Sequence, residues 1–176
     1  FLLVDDGQRQ DWIGTSLHDA QLLKQASLQR QLALSRHPAA RSSLPAGFAG
    51  CRSGSILREC LAAQTLLAQD WGIGADVWSC TSFNELARDG NDVARWNLLN
   101  PSETQRLSHV EKCLNDTRGP IIAATDYVRL YADQIRPFIN RRYVTLGTDG
   151  FGRSDFRYRL REHFEINRHY IVVAAL

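Results

Sequence analysis

Pro120-Ile121-Ile122-Ala123-Ala124-Thr125 is an unbroken apolar run closed by a threonine. A strand made from it has no polar face to give to water, so both of its faces must be covered. The segments on either side supply the cover. Ile56, Leu57, Cys60, Leu61, Ala63, Leu67 and Ala68 recur at helical spacing up to Asp70, behind the cap candidates Ser53-Gly54-Ser55 and ahead of Gly72 and Gly74. Asp76–Thr81 reads as a short strand. Ser82 caps a helix over Phe83–Arg88 that Asp89-Gly90 closes, and Asp92–Leu99 forms a further helical turn or two before Asn100-Pro101.

The alternation continues. Val110–Leu114 is helical, and Asp126–Ile139 reads as a helix with Val128, Leu130, Tyr131 and Ile135 inward. Tyr143–Leu146 is another strand. The glycine loop Gly147–Gly152 then leads to Ser154 or Asp155 as cap of a helix through Phe164, and Asn167 caps a last one. Strands alternating with helices, joined by connections too long for hairpins, predict an α/β fold: a mainly parallel sheet flanked by helices.

The first 52 residues differ in character. Asp19–Leu34 offers one candidate helix, and 37–47, with two prolines and two serines, has linker composition. The reading is therefore a leader over 1–52 and a domain over 53–176. The chain begins at Phe1, contains no methionine, and stops inside the apolar run Tyr170–Leu176. Chains seldom finish on bare core sequence, so the expectation is a fragment with a truncated last helix.

Composition excludes several classes. A formal net charge of +2 is too small to argue for nucleic acid. No stretch of about 18 apolar residues is present to cross a membrane. Cys51, Cys60, Cys80 and Cys113 form no C-x-x-C pair, which leaves them as buried free thiols of a cytoplasmic domain.

Motifs with chemistry are few. Gly72-Ile73-Gly74 follows a helix and precedes a strand, the reverse of a dinucleotide fingerprint, and helix-ending glycines account for it. Gly147-Thr148-Asp149-Gly150-Phe151-Gly152-Arg153-Ser154-Asp155 is the most unusual stretch. Gly147, Gly150, Gly152, Arg153 and Ser154 could surround a small anion at a helix N-terminus. Without a following lysine it is not a Walker loop, and Asp149 and Asp155 oppose a phosphate. The competing reading is a sharp structural turn whose carboxylates take backbone donors. Arg157, Arg159 and Arg161, with Glu162 and His163, read as a solvated helix face. No catalytic, cofactor-binding or metal-ligating residue is assigned.

Longer stretches carry a resemblance: SGSILRE (Ser53–Glu59), DVWSCTSFNELARDG (Asp76–Gly90), RWNLLNP (Arg95–Pro101), AATDYVRLYADQIRPF (Ala123–Phe138), RRYVTLGTDGFGRSD (Arg141–Asp155) and HYIVVAAL (His169–Leu176). In this order, residues 53–176 closely resemble the carboxy-terminal, transketolase-like domain of a bacterial enzyme family. These are the homodimeric, thiamine diphosphate-dependent decarboxylating components of the pyruvate dehydrogenase complex. The glycine loop is similar to the G-x-D-x-F-G turn of transketolase-type domains generally.

The resemblance implies a five-stranded, mostly parallel domain within a homodimer. It implies a parent oxidoreductase that decarboxylates pyruvate and acetylates lipoyl groups on the dihydrolipoyl acetyltransferase core. Thiamine diphosphate and magnesium are held there by two preceding domains, through a Gly-Asp-Gly motif and an asparagine pair. This chain contains neither motif. No cofactor is therefore expected on it, nor any activity of its own. The family also carries an apolar strand ahead of the first helix, where this sequence reads Gly50-Cys51-Arg52-Ser53-Gly54. That departure predicts an incomplete domain, its first strand damaged or absent. Two other readings stand beside a dimer-supporting fragment: a non-catalytic dimerisation or scaffold module, and a small-anion binder at Gly147–Gly152.

Overall fold

The structure, a computed structural model, describes residues 34–36, 46–53, 56–114 and 119–176. Two strands come first, β1 (Leu34–Arg36) and β2 (Ala46–Ser53). Helix α1 (Leu57–Trp71), strand β3 (Gly74–Cys80), helix α2 (Phe83–Leu99) and helix α3 (His109–Leu114) follow. Then come β4 (Ile121–Val128), α4 (Arg129–Asp133), a 3-10 turn at Arg136–Phe138 and β5 (Tyr143–Thr148). Helices α5 (Arg157–His163) and α6 (Arg168–Ala175) complete the series.

The five strands form one sheet in the order β1-β3-β2-β4-β5. Only β1 runs antiparallel, pairing Leu34 with Cys80 at one edge. The other neighbouring pairs are parallel, as the alternating pattern predicts. The run at 121–124 is covered on both faces. Ile121 and Ala123 enter a core with Phe83, Leu86, Val110 and Leu114, beneath α2 and α3. Ile122 and Ala124 enter the opposite core with Ile56, Ala63, Leu67 and Ile171, beneath α1 and α6. Two-residue alternation delivers successive side chains to opposite faces. Burying each large aliphatic side chain contributes roughly 1.5–3 kcal/mol, which makes β4 the hinge of both cores.

Several element ends obey local chemistry. Gly72 ends α1 in the left-handed region, at φ 63°, and its backbone N–H donates to the Leu67 carbonyl. The Ser82 hydroxyl accepts from the Glu85 N–H at the start of α2, and the Asn167 side chain accepts from the His169 and Tyr170 N–H groups at the start of α6.

Four expectations are corrected. The sheet begins upstream of the boundary drawn at residue 53: Ala46–Ser53 is the central strand, with Cys51 opposite Trp78 on one side and Ala123 on the other. Strand β2 is therefore neither leader nor missing. Its segment has two glycines and no β-branched residue, so propensity gave no signal, while backbone ladders on both sides satisfy its polar groups. Of the candidate helix at 19–34 and the linker at 37–47, only Leu34, Ala46 and Gly47 lie within the described residues, and all three are in strands.

Second, α2 does not stop at Gly90 but runs unbroken to Leu99. Gly90 admits a neighbour: a Cβ there would sit 2.3 Å from Cε2 of the Phe138 ring. Third, no continuous helix covers 126–139. Strand β4 persists to Val128 through an irregularity after Ala124, the Thr125 hydroxyl accepts from the Tyr127 N–H, and α4 lasts five residues. Pro137 then restricts the backbone to a 3-10 turn. Fourth, α1 and α5 start without a side-chain cap. Ser53 is a strand residue, and Asp155 bonds only to the next N–H, that of Phe156.

Candidate functional site

Strands β2, β4 and β5 end at the same side of the sheet because they are parallel. In α/β folds this is the side where loops converge and sites form. Here it is closed over by the β5–α5 loop and by α5 itself. Two adjoining clefts open there. One, of about 720 Å³, includes Glu59, Tyr158, Arg159, Asn167 and Arg168 in its wall. The other, of about 680 Å³, includes Asp126, Thr148, Gly152, Arg153 and Leu160. Phe156, Arg157 and Arg161 border both.

The loop is tied down residue by residue. Gly147 has room for no side chain: a Cβ would lie 2.7 Å from the Tyr127 carbonyl oxygen and 3.0 Å from Thr125 Cγ2. Thr148 donates its hydroxyl to the Asp126 carbonyl. The Asp149 carboxylate pairs with the Arg129 guanidinium. Gly150 adopts a positive φ of 72°, which glycine tolerates without strain. Around Gly152 the space is open.

Arg153 places its Nη1 3.2 Å from Nδ1 of His163, and Ser154 is exposed. Of the five residues singled out in the sequence, Gly147 lies not in the loop but in β5, which runs on to Thr148, and Gly150, Gly152, Arg153 and Ser154 follow in the loop. Both carboxylates there are engaged, by Arg129 and by the Phe156 N–H. The helix that follows has only seven residues, Arg157–His163, so its dipole is short.

The most densely connected group was not among the candidates. Glu59 lies on the buried face of α1 and receives four hydrogen bonds. Arg168 donates from Nε to Oε2 at 2.9 Å and from Nη2 to Oε1 at 3.2 Å, a two-pronged grip. The Arg168 backbone N–H, at the start of α6, adds a third at 3.2 Å. Arg161 Nη1 on α5 donates to Oε1 at 3.2 Å.

These Arg168 hydrogen bonds hold the Glu59 carboxyl below its ordinary value against the upward push of burial, and Arg161 helps. Glu59 raises Arg168 in return. Arg161 Nη2 also lies 4.0 Å from Asp126 at the end of β4. One carboxylate therefore joins α1, α5 and α6 beside the mouth of the sheet. The solvated-face reading holds for Arg157 and Arg159 but not for Arg161, whose side chain is 12% exposed. The available signal was a glutamate set three residues after Ile56 and four before Ala63, on an otherwise apolar stripe.

Residues 51–167 match the transketolase-like TK C-terminal domain family, and the chain belongs to it. A solved transketolase from Leishmania mexicana shares the fold, with a TM-score of 0.51 at 15% identity, over 83% of this chain and 18% of that one. Nearer in sequence is the pyruvate dehydrogenase E1 component of Cupriavidus necator, 61% identical over 124 residues. The same component of Pseudomonas aeruginosa is 58% identical over 125 residues, and that of Escherichia coli strain K12 is 54% identical over 125. Each match covers 70% of this chain and 14% of the relative. The resemblance read from the sequence is thereby upheld. Among the described residues no helix is long and apolar enough to cross a membrane.

Proposed function

We propose that this chain is the transketolase-like carboxy-terminal part of a pyruvate dehydrogenase E1 component, a cytoplasmic enzyme working as a homodimer. The parent would decarboxylate pyruvate and pass the acetyl group to lipoyl groups of the dihydrolipoyl acetyltransferase core. The observation carrying this reading is the 61% identity to the Cupriavidus necator component over 124 residues. Likeness of that order over a whole domain extends to the surface, where packing alone does not dictate residue choice.

In such an enzyme thiamine diphosphate would supply the electron sink for decarboxylation and magnesium would anchor its diphosphate. We assign neither group to this chain, whose sequence contains no Gly-Asp-Gly motif and no asparagine pair. Among its described residues, no group of three His, Cys, Asp or Glu side chains could hold a metal ion, and no reaction step is assigned to them. Its work on this reading is mechanical. Arg161, Arg168 and Glu59 fix α5 and α6 against α1, and Arg129 with Asp149 fixes the loop beside them, so that a rigid surface supports the catalytic dimer.

The test has two arms. With thiamine diphosphate, magnesium and pyruvate, the chain alone releases no carbon dioxide. Added to the Cupriavidus necator component lacking its matched segment, it raises that enzyme's carbon dioxide release. Release by the chain alone would overturn the assignment.

A further inference from the structure

Among the described residues, several of the large apolar side chains left in water, most of them aromatic, lie in two segments, while others such as Leu98 and Leu99 lie elsewhere. Tyr127, near the end of β4, is succeeded by Leu130 and Tyr131, and Phe151, Phe156 and Tyr158 follow β5. Phe151 is 98% exposed, Phe156 74% and Tyr158 67%. The two segments are neighbours at the carboxyl end of the sheet. Gly147 packs on the Tyr127 carbonyl, Thr148 donates to that of Asp126, Arg129 pairs with Asp149, and Phe156 borders the cleft that includes Asp126.

The rings of Tyr127 and Tyr131 stand 6.3 Å apart, and Phe156 stacks on Tyr158 at 6.2 Å and an interplanar angle of 14°. Contiguous aromatic surface left uncovered is costly in water and typical of interface centres. Basic groups rim it: Arg157 and Arg159 are exposed, while Asp149 and Asp155 are already engaged within the chain.

We infer that this aromatic face packs against the portion of the E1 component that this chain lacks, on a surface that is apolar at its centre and carries carboxylates at its rim. The inference rests on the function proposed above and names the partner surface for it. The occupant follows from size and charge. The chain spans 14% of the length of its relatives, so most of the enzyme in which this domain sits lies outside it. The guanidiniums of Arg157 and Arg159 call for acidic groups opposite.

Binding of the full chain to the Cupriavidus necator E1 component lacking its matched 124 residues tests this, with that relative's own excised segment as a control. Wild-type chain is expected to bind. Phe151→Ser/Phe156→Ser/Tyr158→Ser should weaken binding at least tenfold with an unchanged melting curve, since these side chains are exposed. Arg157→Glu/Arg159→Glu should weaken it too and reverse its salt dependence. Leu98→Ser/Leu99→Ser, at the end of α2, should bind within twofold of wild type.

If wild-type chain binds and the aromatic variant binds equally well, this face is refuted and the function stands. If the excised segment binds and this chain does not, both fall. If sedimentation shows the chain pairing with itself through these rings, the occupant is a second copy and the inference fails.

Discussion

Arg168 grips Glu59 with Nε at 2.9 Å and Nη2 at 3.2 Å, and its backbone N–H bonds the same carboxylate at 3.2 Å. One acidic side chain on α1 thus serves as counter-ion and as a backbone acceptor at the start of α6, 109 residues away. Removing it takes a carboxylate partner from the poorly exposed Arg161 guanidinium as well as from Arg168. Breaking one side of a buried pair costs about 3–5 kcal/mol, and Arg168's exposure to solvent pulls the figure to about 3. Glu59→Ala should therefore lower the urea midpoint sharply, and an unchanged midpoint would show the network to be idle.

The same carboxylate sets an acid limit. Its pKa is lowered in the folded chain, so unfolding at low pH takes up a proton that the native state resists. The stabilisation is full above the unfolded value, about 4.3, and fades as pH falls through the folded one. Urea midpoints of wild type and Glu59→Gln should differ by a constant amount above about pH 5 and converge below it. A gap that widens on acidification would contradict the sign.

Gly90 and Phe138 form a second testable pair. An alanine in mid-helix normally gains up to about 1 kcal/mol over glycine. Here its methyl would overlap the Phe138 ring at 2.3 Å, and overpacking costs about 1–3 kcal/mol. Gly90→Ala should destabilise wild type but stabilise, or leave unchanged, a Phe138→Ala background. Equal effects in both backgrounds would remove the ring as the cause.

The loop glycines should separate by position. Gly147→Ala forces a methyl against the Tyr127 carbonyl, and by thermal melting it should cost about 1–3 kcal/mol. Gly152→Ala enters open space and should stay within about 0.5 kcal/mol of wild type.

Burial pushes the Cys80 thiol up to about 12, and burial also raises Cys113, which lies nearer the surface. At pH 8 roughly one Cys80 in ten thousand is thiolate. Peptide mapping after mild alkylation of native chain should find Cys113 modified well before Cys80, and denaturant should erase the difference.

The legible parts of the fold were those with a strong local signal. The apolar run at 121–124, the stripe through Ile56 and Leu67, and the caps at Gly72, Ser82 and Asn167 each stated their structure within a few residues. Strand β2 did not, because Ala46–Ser53 is held by pairing partners on both sides rather than by its own propensity. Gly90 misled for a related reason: the residue that explains it lies 48 positions away, at Phe138. At the site, the glycine loop stood out by composition. Glu59 did not, since its partners at 161 and 168 meet it only once α5 and α6 have folded back onto α1.

On the proposed function, this chain is an interchangeable supporting part of a pyruvate dehydrogenase E1 component. The direct measurement replaces the matched 124 residues of the Cupriavidus necator component with the corresponding residues of this chain and follows carbon dioxide release from pyruvate, with the oligomeric state by sedimentation. The expected hybrid is a dimer that releases carbon dioxide within a few-fold of the parent's rate. A folded hybrid that neither dimerises nor decarboxylates would contradict it.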